Sequence, residues 1–414
     1  MLRKLVIGLL AAALVVMPAG CGDDDSRIHL TIGTFGDFGY DPLYREYEAL
    51  NPGIRITARV TKSEDHHKNL AAHLATNTGA ADVEAIEEGW ISQFTNAPNR
   101  FVDFNAYGGA ALRKRWPDWK WAAGSATDGR VVGLGTDVGG MAMCYRKDLL
   151  DRAGLPTDRA EVAKLWPTWE KYIDTGITFK QKVPDKAFFD GPATMYRAVL
   201  GQQKVGVYDG EDNVVVSSNP AVKYAWDLSA QALAAGLSAR AGAFTADWTA
   251  GLAQGAFATI ACPSWLMGYI QDQAASAAGL WDVAAVPGKG GNWGGSWLSV
   301  PKQTEHPAEA TALAAWLTAP EQQAKVFQAI GNFPSTLALY DDPVIADRVN
   351  DFFGKAPVGQ IFSVSVTALV PQYQGPRSGD INARIIDGLT RIEQGRDTPE
   401  ESWRKVLREV DALS

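Results

Sequence analysis

Apolar and polar positions alternate where the globular region starts: Ile28, Leu30 and Ile32 fall on every second residue, the period of a strand. Asp41-Pro42 follows as a helix cap with Pro at the first helical position. Leu43, Tyr47 and Leu50 then share one helical face until Asn51-Pro52-Gly53 stops the helix. Alternation returns at Ile54, Ile56, Ala58 and Val60, a helix carries Leu70 and Leu74, and a third short strand covers Val83 to Ile86. This β-α-β-α-β order predicts a parallel sheet with covering helices.

The pattern restarts after Gly133. An apolar run from Met141 to Tyr145 reads as a strand, Lys147 to Ala153 as a helix ended by Gly154, and Lys164 to Ile173 as a Trp-rich helical stretch. A second lobe is expected from near Asp137. Within it, Ala221 to Ala235 reads as a long helix, and Phe257 to Ala261 and Trp281 to Val286 as buried strands. The glycine-dense loop Gly288 to Gly295 leads to a strand, Trp297 to Val300, that can return to the first lobe. Leu313, Trp316 and Leu317, and then Trp403, Val406, Leu407 and Val410, mark late amphipathic helices, the last opened by the capping box Thr398-Pro399-Glu400-Glu401.

With 414 residues, the chain exceeds one ordinary core and suits two. Its 39 Lys+Arg against 47 Asp+Glu, without a basic stripe, argue against a nucleic-acid partner. Residues 1–20 read as an export signal: Arg3 and Lys4 precede the apolar run Leu5 to Val16, and Pro18-Ala19-Gly20 supplies the cleavage region. That run has only about a dozen apolar residues, too few to span a bilayer. Cys21 stands where a bacterial lipoprotein signal places its lipidated cysteine, although Pro18 replaces the usual Leu; the alternative is a plain signal peptide. Residues 21–27 read as a solvated tether. Cys144 and Cys262 remain, either one disulfide or two separate buried thiols in neighbouring strands.

Candidate chemistry is sparse. His66, His67 and His73 share a helix without the i, i+4 spacing that lets two imidazoles hold one metal, so they read as a solvated helix face, and neither a metal nor a cofactor is expected. No nucleophile elbow, phosphate loop or dinucleotide fingerprint occurs. Asp209-Gly210-Glu211-Asp212-Asn213 reads as a turn between strands. Glu87-Glu88 sits past a buried strand, where the open edge of a parallel sheet presents ligand groups. A glycosidase needs two carboxyl groups opposed across the bond, and strand neighbours point to opposite sides, so one of the pair suits a hydroxyl-rich ligand better. The 14 Trp add the main clue, because Trp90, Trp265, Trp293 and Trp297 lie in glycine- or proline-flanked segments. An indole stacks on the apolar face of a pyranose, while the hydroxyl rim calls for Asp, Glu, Asn or Gln.

These segments make the chain resemble the extracellular solute-binding proteins of ABC importers that take up oligosaccharides. The resemblance rests on Tyr44-Arg45-Glu46-Tyr47-Glu48 with Asn51-Pro52-Gly53-Ile54, on Met143-Cys144-Tyr145-Arg146-Lys147-Asp148-Leu149-Leu150 with Ala153-Gly154-Leu155-Pro156, and on Gly294-Gly295-Ser296-Trp297. It is most similar to the cellobiose and cello-oligosaccharide-binding lipoproteins of actinobacteria, through Gly33-Thr34-Phe35-Gly36, Gly133-Leu134-Gly135-Thr136-Asp137, Ala261-Cys262-Pro263-Ser264-Trp265 and Asn292-Trp293-Gly294-Gly295. Trp90 departs from the small polar residue expected there, which bears on ligand length and linkage.

The resemblance implies an α/β, two-lobed, periplasmic-binding-protein-like fold, each lobe a mainly parallel sheet flanked by helices. Residues 28–137 with 292–340 would form lobe 1, and 138–291 with 341–414 lobe 2. It further implies that a monomer binds sugar in the interlobe cleft, closes, and docks on the transmembrane subunits of a permease while lipid at Cys21 holds it to the membrane. Phe38, Glu87, Trp90, Asp137, Trp265, Asn292, Trp293 and Trp297 are the expected ligand contacts, with Trp265 and Trp293 as stacking platforms and Glu87 and Asp137 as hydroxyl acceptors. The rivals are a secreted carbohydrate-active enzyme and a same-fold binding protein for peptides, polyamines or a metal.

Overall fold

The computed structural model describes residues 26–413. The leader at 1–20, Cys21 and all of the tether but Ser26 and Arg27 lie outside the described residues. The alternating segments form the strands β1 (Ile28–Phe35), β2 (Ile54–Thr61) and β3 (Val83–Glu87), followed by β4 (Gly133–Gly135) and β5 (Met141–Arg146). Later strands are β6 (Ala187–Phe189), β7 (Phe257–Pro263), β8 (Trp281–Ala284) and β9 (Ser296–Ser299). They build two sheets, ordered β2-β1-β3-β9-β4 and β6-β7-β5-β8.

Strand direction explains how the sheets connect. β1 runs parallel to β2 and β3, while β9 is antiparallel to both β3 and β4. In the second sheet β6 and β7 are parallel, and β5 is antiparallel to β7 and β8. Each sheet therefore has one reversed strand, and that strand is the one arriving from the other sheet: β5 continues β4, and β9 continues β8. A chain that leaves one sheet at its carboxyl edge and runs straight on must enter the next against its grain. The crossing segments are stitched side by side, with the Val138 N–H donating to the Phe333 carbonyl (2.9 Å) and the Trp293 N–H to the Gly139 carbonyl (2.9 Å). Gly139 permits this approach, since a Cβ there would lie 1.9 Å from the Trp293 oxygen.

Both faces of each sheet are covered. On the first, Leu30, Ile32, Val83, Leu134 and Leu298 join one core, and Ile86 and Trp297 join Leu70 and Phe94 in the other. On the second, Met141, Met143 and Tyr145 face one core while Ala142 and Cys144 face the opposite one, the period-two alternation of a strand buried on both sides. Cys144 and Cys262 form a disulfide between β5 and β7, with Cα atoms 5.5 Å apart. The helix Pro320–Ile330 touches both lobes, placing Val326 in the first-lobe core and Ala324 and Phe327 in the second. No helix among the described residues is long and apolar enough to cross a membrane.

Local departures from the sequence reading have local causes. The first helix begins at Asp41 itself, with Tyr40 as an N-cap that makes no side-chain capping bond. The Trp-rich stretch is two helices, Arg159–Leu165 and Trp169–Lys182, because Pro167 disfavours helical geometry at Trp166 and Thr168 caps the new helix by accepting from the Lys171 N–H. β8 stops at Ala284, two residues early, as the chain turns into the crossing. The capping box at Thr398 forms as read.

Candidate functional site

The strands β3 and β7 end at a common cleft of about 1770 Å³ lined from both lobes. Seven of the expected contacts line it: Phe38, Glu87, Trp90, Asp137, Trp265, Asn292 and Trp293. Trp297 does not. It is buried at 1% exposure, its indole N–H donates to the Lys120 carbonyl (3.1 Å), and Lys120 Nζ sits 3.4 Å over its ring. Alternation along β9 directs Leu298 to one core and Trp297 to the other, and Gly124 leaves the space that the indole fills. Trp297 is a core residue of lobe 1.

On lobe 1, Glu87 closes β3 and caps the helix Glu88–Thr95, one carboxylate oxygen accepting from the Gly89 N–H at 2.8 Å. Burial, then the Asp137 charge, raise its pKa, opposed by that hydrogen bond and by the Arg197 and Lys120 cations. Glu88 grips the crossing: Asn292 Nδ2 donates to it at 2.6 Å and the Gly294 N–H at 3.2 Å. Burial and the neighbouring Glu87 charge raise its pKa as well. Asp137 accepts from the Thr136 hydroxyl (2.6 Å) and the Ser296 N–H (2.9 Å), so part of its accepting capacity already holds β9 in place. Beneath these carboxylates lies Lys120, 1% exposed, its pKa lowered by burial and raised by Asp137, Glu88 and Glu87. The side-chain Oδ1 of Asn292 is buried at the cleft wall without a hydrogen-bond partner, while its Nδ2 is held by Glu88.

His66 and His67 are buried, contrary to the solvated face expected of them. The Glu87 N–H donates to His67 Nε2 (2.9 Å), so the proton of this ring sits on Nδ1, which donates to the Ser63 carbonyl (2.6 Å). Burial drives the His67 pKa down to about 3, which keeps the ring neutral. It stacks on Trp90 with ring centres 5.0 Å apart and planes within 10°. This histidine therefore holds two cleft groups, the Glu87 backbone and the Trp90 indole.

Lobe 2 presents aromatic surface. Trp265 opens the helix Ser264–Gln273, its indole N–H donating to the Trp293 carbonyl (3.0 Å) and its ring set edge-on to Trp293 at 5.5 Å and 79°. Asp190 is buried at the cleft wall, accepting from the Thr194 hydroxyl and the Trp248 indole N–H, and burial pushes its pKa up to about 6. Arg197 stands out from the otherwise mostly buried helix Pro192–Leu200 into the cleft. Sequence reasoning missed Glu88 as the anchor of the crossing, and it missed Lys120 and Arg197. The first of these carried a signal as one of a paired carboxylate; the others lie in segments whose pattern matches ordinary helix or loop.

Two mixed α/β lobes, stitched crossings and a cleft lined from both sides define the class of two-lobed binding proteins. The chain belongs to the bacterial extracellular solute-binding proteins, whose family profile matches residues 43–352. An extracellular solute-binding protein of family 1 of known crystal structure is 46% identical and superposes with a TM-score of 0.83 over 93% of this chain and 99% of its own. The arabinooligosaccharide-binding protein of Halalkalibacterium halodurans is 24% identical over 87% of this chain and 82% of its own length. The ABC transporter associated binding protein from B. animalis subsp. lactis, solved with β-1,6-galactobiose, shares the fold at a TM-score of 0.80 and 18% identity, over 94% of this chain and 97% of its own.

Proposed function

We propose that the protein captures an oligosaccharide, of the cello-oligosaccharide class, in the interlobe cleft and delivers it to the permease of an ABC importer. The observation that carries this reading is the pairing of indoles, Trp265 on lobe 2 and Trp293 on the crossing, with the carboxylates of Glu87 and Asp137 on lobe 1 around one cleft. Stacking gives a sugar ring its plane, and hydrogen bonding fixes its rotation. Phe38 and Trp90 complete the wall of lobe 1. Contacts made to both walls at once favour the closed arrangement of lobes, and closure is the signal a permease reads. In this reading residues 28–137 with 292–340 and 138–291 with 341–414 are the moving bodies. The exported chain is a monomer, tethered by lipid at Cys21.

The names of the relatives support the sugar class and favour a second reading of its identity, an arabino-oligosaccharide, since two curated relatives with that name align over more than four fifths of this chain. Binding without turnover fits the carboxylates: Glu87 and Glu88 are engaged with the Gly89 N–H and with Asn292 and Gly294 rather than opposed across a bond. The test is Trp fluorescence and thermal melting of the exported chain titrated with cellobiose, cellotriose, arabinotriose, maltose and a peptide mixture. A saturable spectral change with a raised Tm for the β-glucans supports the first reading, and for arabinotriose alone the second. Trp265→Ala then weakens binding by about 2 kcal/mol, roughly 30-fold. Response to none of the sugars sinks both readings, and sugar cleavage moves the case to an enzyme.

A further inference from the structure

We infer that Phe244 is the platform of an additional, outer sugar subsite on lobe 2, so that the ligand this cleft is built for is longer than a disaccharide; this rests on the oligosaccharide reading above. Phe244 is 52% exposed, among the larger apolar side chains that the described residues leave in solvent, yet it lines the cleft rather than the outer surface. Its ring stacks beside Trp265 at 6.2 Å with planes 23° apart, stands edge-on to Tyr269 at 5.6 Å and leans on Trp248 at 5.1 Å. The near-parallel neighbour matters most, because Trp265 and Phe244 turn their ring faces in nearly the same direction at successive places in the cleft, and successive rings of an extended oligosaccharide present their faces to such a row.

The backbone supports the ring at a cost that only glycine escapes. Phe244 has φ +65°, and Arg240, at the start of the same loop, has φ +57°. A bulky residue in the left-handed region is uncommon and is kept where the surrounding structure holds it. Here the Thr245 hydroxyl donates to the Gly242 carbonyl (2.8 Å) while accepting from the Trp248 N–H (3.3 Å). The Ala241 N–H donates to the Asp190 carbonyl (3.2 Å). A loop pinned at both ends thus projects a half-exposed ring into the cleft, the arrangement of a rigid contact surface rather than of a packing residue.

Calorimetric titration of the exported chain with a disaccharide, a trisaccharide and a tetrasaccharide of one linkage tests this. The wild type gains about tenfold in affinity from one of these lengths to the next, as an extra stacked ring would supply. Phe244→Ala keeps the disaccharide Kd within about twofold and loses that gain, and Phe244→Trp restores it. Phe244→Gly relieves the left-handed backbone and keeps or raises the Tm while losing the gain as Phe244→Ala does. Equal weakening of all lengths, an intact gain in Phe244→Ala, or a collapse of Tm in both small variants overturns the subsite. A wild type that binds the disaccharide without any length gain removes this inference alone, whereas a wild type that binds no saccharide removes the functional reading beneath it.

Discussion

Two strand-to-helix junctions at the cleft occupy the same place in their lobes and carry opposite chemistry. In lobe 1, β3 runs into the helix Glu88–Thr95, and in lobe 2, β7 runs into Ser264–Gln273. At the first junction the strand ends on Glu87, whose carboxylate caps the helix, and Glu88 reaches back to the crossing. At the second the strand ends on Pro263, which makes no side-chain cap, the Ser264 hydroxyl accepts from the Phe333 N–H, and Trp265 is left to the cleft. A strand-to-helix junction is therefore a mount with no chemistry of its own. One junction supplies acceptors held by backbone N–H groups, and the other supplies an aromatic face.

The comparison can be broken at its aromatic residues. Ser264-Trp265-Leu266 and Ser296-Trp297-Leu298 are the same tripeptide in the two settings. Trp297→Ala empties a core site and lowers stability by about 3–5 kcal/mol, visible as a fall in Tm, while ligand specificity is kept in the molecules that stay folded. Trp265→Ala behaves in the reverse way, and equal stability losses in both would erase the distinction drawn here.

A second difference lies in how the two sheets are held. The disulfide joins strands of the second sheet, both cysteines being fully buried, and the double change Cys144→Ala/Cys262→Ala is expected to cost about 2–4 kcal/mol in denaturant melts under oxidising conditions. Reductant reproduces the loss in the wild type and leaves the double variant unchanged.

The first sheet instead carries a buried polar pair, Glu84 and His66 at 3.6 Å. Burial raises the Glu84 carboxyl from 4.5 to about 7, so the folded state holds a proton that the unfolded state gives up near pH 4.5. Its contribution is complete below pH 4.5 and declines as pH rises to about 7. Glu84→Gln should flatten this part of the Tm-against-pH curve, the smallest of the three effects, and an unchanged slope would remove Glu84 as its source.

The strands and the late helices were legible because strands and amphipathic helices print their period on the sequence. The position of Trp265 was legible through its Pro-Ser setting. Trp297 was legible as the start of a strand but not as a core residue, because the face it takes depends on the pairing of that strand with Ile86 and Gly135, distant in the chain. Lys120 was invisible for the same reason. A lysine within Trp119-Lys120-Trp121 looks solvated until three carboxylates from other segments are seen around it. His66 and His67 read as surface because their partners, the Ala85 carbonyl and the Glu87 N–H, are backbone groups of a strand about twenty residues away.

The reversed strand β9 also sets an order of assembly. The second sheet is drawn from one uninterrupted stretch, 141–284, whereas the first needs strands from 28–135 and then 296–299. As the chain emerges from its N-terminus, β4 has no neighbour until β9 arrives, because β9 lies between it and β3. The lobe begun first is thus the one whose sheet closes last. A chain truncated before residue 296 would hold every strand of the second sheet and an incomplete first one.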